Sequence, residues 1–376
     1  MKTYNMIDLF CGCGGLSLGM EQAGFQVLFA SDIDPVCSQT YLNNRSLDKS
    51  RMFVGDIAEL NKKYDCFSNK LIDISLVCGG PPCQGFSMAN RQRLIDDPRN
   101  NLYKEYLIFL KNSSPKFFVM ENVKGMLNKI DEILGDIKDY LGEEYNVSYD
   151  IFNAKNFGVP QNRERLILIG NRMGIYSKQI IKEIHDREKN APKFTLLDAI
   201  SDLPVLAPNR LKNKNKVEYA ETGYTCVEYS YAHTDFYKFI NGERNIKFLH
   251  NHKNRYNNDR DIEIFSRLPQ GANSLHESIQ DIMPYKSRND IFKDKYYKLR
   301  YDDVCKTITS HMKFDCNMYI HPTQSRGLSP REAARIQTFP DDFVLYGPQN
   351  SWYKQVGNAV PVKLAQAIGE EIVKYL

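Results

Sequence analysis

The chain predicts an α/β fold, a mostly parallel sheet with helices on both faces, joined to a smaller and irregular second part. Three observations carry this. Through the first 171 residues, short apolar runs alternate with segments of helical periodicity. A glycine-rich turn, Gly12-Cys13-Gly14-Gly15, directly follows the first apolar run. From residue 172 to about residue 325 the alternation stops, and Asn, Lys, Arg and Tyr are abundant.

Residues 3–10 read as the first strand, and residues 16–23 as the helix after the glycine turn. Residues 26–31 are a second strand, and residues 35–43, opening on Pro35, a second helix. Met52-Phe53-Val54 and Ile74-Ser75-Leu76-Val77 are further short strands. Gly79-Gly80-Pro81-Pro82 then stops both strand and helix. Helical segments from about Asn101 and Gly125 flank a strand at Phe117-Phe118-Val119-Met120. Leu166-Ile167-Leu168-Ile169 is a buried strand ended by Gly170-Asn171. Order returns at residues 328–336, where Ser329, Pro330 and Glu332 fit the N-cap, N1 and N3 of a capped helix. An amphipathic helix spans residues 362–375. The expected division is residues 1–171, 172–325 and 326–376, the last segment returning to the first domain.

Composition narrows the function classes. With 42% hydrophobic and 26% charged residues over 376 positions, the chain reads as a soluble globular protein with a sizeable core. No apolar run approaches the ~20 residues that cross a bilayer, and the first residues are not a leader pattern. The expectation is a cytoplasmic protein with no membrane partner. Nine cysteines, an odd and modest count, argue against a disulfide framework. Cys11 and Cys13 lack a second pair to complete a four-ligand set, so a metal is rejected. A net charge of +4 leaves a polyanionic partner to be decided by charge distribution.

Candidate chemistry collects at strand ends. Cys83, in Pro81-Pro82-Cys83-Gln84-Gly85-Phe86-Ser87, is held at a strand end by a stiffened turn. It is either a thiolate nucleophile or a structural cysteine in a Pro-rich loop. Asp32 stands 20 residues after Gly12, where a carboxylate can accept from ribose hydroxyls; alternatively it caps the helix at Pro35. Asp56 could meet an adenine amino group or be a turn aspartate. The third glycine of the dinucleotide pattern would fall at Ser17, so a different adenosine-containing cofactor is favoured over a nicotinamide. Glu121 follows a buried strand, where burial would raise its pKa toward that of a working acid; the other reading is an N-cap partner. Period-two alternation sends Gln161, Arg163 and Arg165 to one side. Parallel strands bring Gly12, Asp32, Cys83 and Glu121 to one edge of the sheet.

These stretches resemble, in order from Asp8 to Pro361, the motifs of the DNA cytosine-5 methyltransferases. The resemblance implies a Rossmann-like, S-adenosylmethionine-dependent sheet with a target-recognition domain. Cys83 matches the nucleophile that adds to cytosine C6. Glu121, in Glu121-Asn122-Val123, matches the acid at N3. Arg163 and Arg165 belong to the Q-x-R-x-R motif, whose last arginine addresses O2. The cofactor set is Asp8, Phe10, Gly12, Gly14, Gly15, Asp32, Ile33, Asp56, Ile57, Pro82 and Leu102, with Asn358, Ala359 and Val360 at the methionine end. Gln84, Ser87, Gln161 and Thr307 match positions that meet the DNA, and residues 84–99 match a lid over the flipped base.

The same resemblance implies double-stranded DNA as partner, a monomer, a cognate restriction endonuclease in a restriction–modification system, and a bacterial, nucleoid-associated location. Basic patches at residues 209–216, 252–256 and 285–289 are expected to face the DNA. Two rivals remain. A tRNA cytosine-5 methyltransferase would carry a Cys-Phe-Thr signature, which is not present in this chain. A non-catalytic DNA-binding regulator would not need Cys83, Glu121 and Arg165 together.

Overall fold

The computed structural model describes residues 3–82, 102–212, 217–284 and 295–376. The first part runs β1 (Tyr4–Leu9), α1 (Gly15–Gln22), β2 (Phe25–Asp32), α2 (Pro35–Asn43), β3 (Met52–Val54), α3 (Ile57–Lys62) and β4 (Ile74–Gly79). It continues with α4 (Leu102–Ser113), β5 (Phe117–Val123), α5 (Ile130–Leu141), β6 (Asn146–Asn153), β7 (Glu164–Asn171) and α6 (Ser177–Arg187). The seven strands form one sheet in the order β3-β2-β1-β4-β5-β7-β6. The first five are parallel; β7 is antiparallel to both β5 and β6. The mostly parallel sheet predicted from the alternation is therefore present, with an antiparallel edge hairpin added.

Apolar spacing explains the layers. α4 buries Tyr103, Tyr106, Leu107 and Leu110, one helical stripe. α5 does the same with Ile133, Ile137 and Leu141 and ends on Gly142. These helices share a core with α3 and the sheet. The Tyr106 hydroxyl lies between two carbonyl acceptors of this core, Val77 O at 3.1 Å and Val119 O at 3.0 Å, and shares its one hydrogen across β4 and β5.

The chain divides into two compact units. The first comprises Met1–Gly158, Arg163–Pro192 and Ala359–Leu376. The second comprises Val159–Asn162 and Lys193–Asn358. The boundary thus falls at Lys193 rather than at residue 172, because α6 is amphipathic, buries Ile180, Ile181 and Ile184, and packs against β6. Helical order inside the supposedly irregular stretch was hidden by its high polarity.

The second unit holds α7 (Leu196–Ile200), β8 (Gly223–Glu228), α8 (Asp235–Asn241), β9 (Phe248–Lys253), α9 (Asp259–Arg267), α10 (Pro330–Ile336) and α11 (Gln349–Asn358). Strands β8 and β9 pair antiparallel. The capping box at Ser329 and Glu332 forms as predicted. Yet α10 is buried on all sides, charges included. Arg326 forks onto Glu332 at 2.8 and 2.7 Å, and Arg335 onto Asp341 at 2.8 and 2.9 Å, with Asp202 as a further partner. Breaking one member of such a buried pair costs about 3–5 kcal/mol. This charged core keeps residues 326–358 within the second unit. Only from Ala359 does the expected return to the first unit occur.

The returning helix is α12 (Val362–Val373), which packs along α1. The two backbones come so close at Gly19 that a Cβ there would lie 2.3 Å from Val362 O. Arg187 of α6 braces the same helix through Glu370 and Glu371.

Candidate active site

The five parallel strands point their carboxyl ends to one sheet edge, and the register aligns those ends: Leu9 pairs with both Ser31 and Gly79, and Gly79 with Met120. At this edge Asp32, the last residue of β2, accepts the Gly12 N–H at 2.7 Å and the Asp34 N–H at 2.8 Å. Asp34 is the residue that caps α2, accepting from Val36 N at 2.9 Å. The helix-cap reading therefore belongs to Asp34, and Asp32 is left to brace the glycine turn. That turn is left-handed at Phe10 (φ 54°), Gly12 (φ 53°) and Gly14 (φ 91°). For an aromatic residue such a φ is uncommon and marks a constrained site.

The remaining cofactor candidates divide. Ile33 is 70% exposed beside Asp32, as a residue covering a flat ligand would be. Gly15 is the first, buried residue of α1. Pro82 is exposed, and Leu102 opens α4 half-buried. Asp56 caps α3 by accepting from Ala58 N at 2.8 Å, and its side chain stays exposed. Ile57, by contrast, is buried in the core, so its side chain offers no ligand surface.

Asp8 also lies beneath the turn, 1% exposed. The Cys78 thiol donates to its Oδ1 at 3.8 Å. Burial pushes the Asp8 carboxyl up to about 7, against the pull of Ser17, Arg45 and Tyr41. Arg45, which no motif marks, is buried against the same turn.

At the β4–β5 end, the structure continues β5 through Val123, so Glu121 sits inside the strand. It is not a lone buried acid: Arg165 Nε lies 2.8 Å from its Oε1, with side-chain exposures of only 13% for Arg165 and 12% for Glu121. Burial draws the Arg165 guanidinium below its ordinary pKa, and Glu121 opposes this. A Cβ on Gly80 would stand 2.9 Å from Glu121 Oε2, so the glycine makes room for the carboxylate. Asn122 Nδ2 donates to Pro81 O at 2.8 Å and anchors the chain just before Cys83. Cys83, Gln84, Ser87 and the rest of the expected lid lie outside the described residues.

The alternation that placed Gln161, Arg163 and Arg165 on one side does not hold. β7 begins only at Glu164, and residues 159–162 belong to the second unit. Arg165 meets Glu121. Arg163 is fully buried and donates from Nη2 to Ala359 O at 2.9 Å. Gln161 is buried between Gln337 Oε1 (2.8 Å) and Ile308 N (2.7 Å). Thr307 Oγ1 donates to Asn162 O at 2.6 Å. Asn358 is exposed, while Ala359 and Val360 are buried.

The basic patch at residues 252–256 is corrected outright. His252 is buried between Ser329 Oγ and Pro204 O, each at 2.9 Å. Lys253 pairs with Glu218 at 3.0 Å with 3% side-chain exposure. Arg255 donates to Met312 O and Phe314 O, each at 2.7 Å. These side chains are spent on partners within the second unit rather than presented as a surface patch, and β9 packs against α10. Arg210 and Lys212 are exposed, Arg210 facing Asp259 at 2.7 Å. Residues 213–216 and 285–294 lie outside the described residues. Among the described residues no cluster of His, Cys, Asp or Glu could hold a metal ion, and no helix is long and apolar enough to cross a membrane.

Similarity agrees with this geometry. Residues 4–374 match the family model for C-5 cytosine-specific DNA methylases. The type II methyltransferase M.DdeI of Desulfomicrobium norvegicum is 34% identical, over 99% of this chain and 89% of that protein. M1.HphI of Haemophilus parahaemolyticus is 33% identical, over 99% and 87%. A solved structure described as a DNA modification methyltransferase encoded within an E. coli prophage superimposes with a TM-score of 0.74 at 25% identity, over 99% of each chain.

Proposed function

Because the chain belongs to the C-5 cytosine-specific DNA methylase family and is a DNA cytosine-5 methyltransferase, we propose that it uses S-adenosylmethionine to methylate a flipped-out cytosine within a specific duplex sequence, through a covalent bond from Cys83 to C6. The observation that carries this reading is the Glu121–Arg165 pair at the sheet edge that also holds Asp32 and the glycine turn.

The residues at the turn fit an adenosine-containing donor. Asp32 accepts the Gly12 and Asp34 N–H groups at the end of β2, where a carboxylate can also meet a ribose hydroxyl. Ile33 offers an apolar face, and a Cβ on Gly12 would meet nothing within 4 Å, so the turn borders open space. When bound, S-adenosylmethionine would supply the methyl group. The chain's own residues do the rest. The Cys83 thiolate forms a bond to C6, and the ring's electron density shifts toward N3, O2 and C5. Glu121 meets N3 and Arg165 meets O2, so the charge that develops there faces preorganised partners. Once C5 is methylated, its proton leaves to a base and the C6–sulfur bond breaks, releasing the thiolate. C6 is inaccessible in a stacked duplex, and extruding the base costs about a few kcal/mol.

The second unit is proposed to read the DNA sequence, with Thr307 and the exposed Arg210 and Lys212 on its surface. A restriction–modification setting is supported by the type II methyltransferases named above. Bisulfite sequencing of DNA from an expressing host would give product and site together. Duplexes carrying 5-fluorocytosine at that site should trap the protein covalently when the donor is present. A methylated product with no trapped complex would remove the adduct mechanism.

A further inference from the structure

We propose that Arg45 is a positioning residue for the methyl-donor site, clamping the carbonyl of Gly14 so that the glycine turn keeps its ligand-ready shape. This rests on the reading that the donor binds at residues 12–15. Arg45 stands just beyond the end of α2, outside every motif that marks the site. Its side chain is 4% exposed, and its donors reach four partners, one of them Tyr41 O at 3.5 Å from Nη1. Nη2 donates to Gly14 O at 2.9 Å and to Ser17 Oγ at 3.2 Å, and Nε donates to Glu21 Oε2 at 2.8 Å. The plane lies over the Tyr41 ring, 3.9 Å from its centroid.

The fit is mutual. Gly14 takes φ 91°, and a Cβ there would lie 2.6 Å from Arg45 Nη1. Gly14 is thus needed for the approach of the arginine as well as for the turn. Gly14 O also starts α1, accepting Leu18 N at 2.9 Å. A guanidinium N–H fixed on that carbonyl sets the direction in which the Gly12–Gly14 peptides face the ligand. A lysine carries a point charge without the planar fork and cannot reproduce all of these contacts. Because Gly12 N is in turn held by Asp32, the turn is pinned at both ends, by a carboxylate on its ligand side and by a guanidinium beneath it.

A merely structural arginine would lower stability and leave donor affinity of the folded protein unchanged. A positioning arginine changes donor affinity in the folded protein. Titration calorimetry of the full-length protein with S-adenosylmethionine, and with S-adenosylhomocysteine, should show Arg45→Met and Arg45→Lys binding about tenfold more weakly than wild type. KM for the donor should rise to match, with kcat at saturating donor and KM for DNA unchanged. Glu21→Gln leaves the Gly14 contact in place, so it should lower Tm with donor affinity intact; it decides the matter alongside Arg45→Lys if Arg45→Met does not fold. Wild-type affinity in folded Arg45→Lys overturns the proposal, as does an affinity loss in Glu21→Gln as large as in the Arg45 variants. If wild type itself binds neither ligand, the donor reading fails and this proposal with it.

Discussion

Arg165 reaches Glu121 on a diagonal across two antiparallel strands: Val123 pairs with Arg165 while Glu121 pairs with Ile167. Such diagonal neighbours lie within reach of long side chains. The contact exists because β7 runs against the parallel sheet and so delivers its first residues to the carboxyl end of β5.

If the two groups act as one unit, removing either should cost nearly what removing both costs. Glu121→Gln and Arg165→Ala should each lower the single-turnover methylation rate by about 10²–10⁴-fold. The double variant should be little worse. Rate losses that multiply would show independent roles.

Cys83→Ala should abolish methyl transfer and fluorocytosine trapping, with donor affinity by calorimetry as in wild type. Turnover near the wild-type rate would remove Cys83 from the mechanism.

Gly80→Ala tests the space reserved for the carboxylate. The added methyl lies 2.9 Å from Glu121 Oε2, the end of a side chain that can swing aside. The fold should survive with a small change in Tm, while displacement of Glu121 costs about a hundredfold in rate. An unchanged rate would mean that the position of Glu121 is not critical.

Acid should destabilise the protein in two overlapping stages. Burial pushes His252 down to about 4 and His321 to about 3. The unfolded chain protonates these rings near pH 6.5, so it binds more protons than the folded chain, and stability falls as pH drops from about 6.5 toward those values. Burial alone would raise Glu332 and Asp341, yet Arg326 holds Glu332 well below the ordinary carboxylate range and Arg335 lowers Asp341. Their contribution is complete above the ordinary carboxylate range and is lost as pH falls below it. Tm measured from pH 7.5 to 4 should fall, and His252→Gln should flatten the upper part of that slope.

Asp8 works in the opposite direction. Its folded pKa of about 7 lies above its unfolded value, so its contribution is full in acid and is lost as pH rises through 7. The Tm difference of Asp8→Asn minus wild type should be more positive at pH 8 than at pH 5. No change in that difference would show that the carboxyl ionises freely when folded.

Local signals were readable in the sequence, and partnerships were not. The Pro35 start of α2 and the Ser329–Glu332 capping box need only neighbours three residues apart, and both form. β6 was missed because its half-exposed, polar alternation marks an edge strand weakly. β5 was read as ending at Met120 because the Arg165 charge that lets Glu121 stay in the strand comes from another segment. Lys253 looked like a surface cation until Glu218 supplied its partner. Arg335 finds Asp202 at a separation of 133 residues, which no local pattern encodes. Within the site, Asp32 and the glycine turn were legible from their spacing, whereas the Arg45 clamp had no motif to announce it.

The embrace of α1 by α12 has a bearing on how the protein is made. The ribosome delivers Cys83, Glu121 and Arg165 long before it delivers Val362, and until then the flank of α1 around Gly19 and Met20 has no lid. A nascent chain that stops short of α12 therefore lacks the brace for the helix on which the glycine turn is built. The two halves of this contact are made far apart in time, and α1 settles against its partner only once α12 has been synthesised.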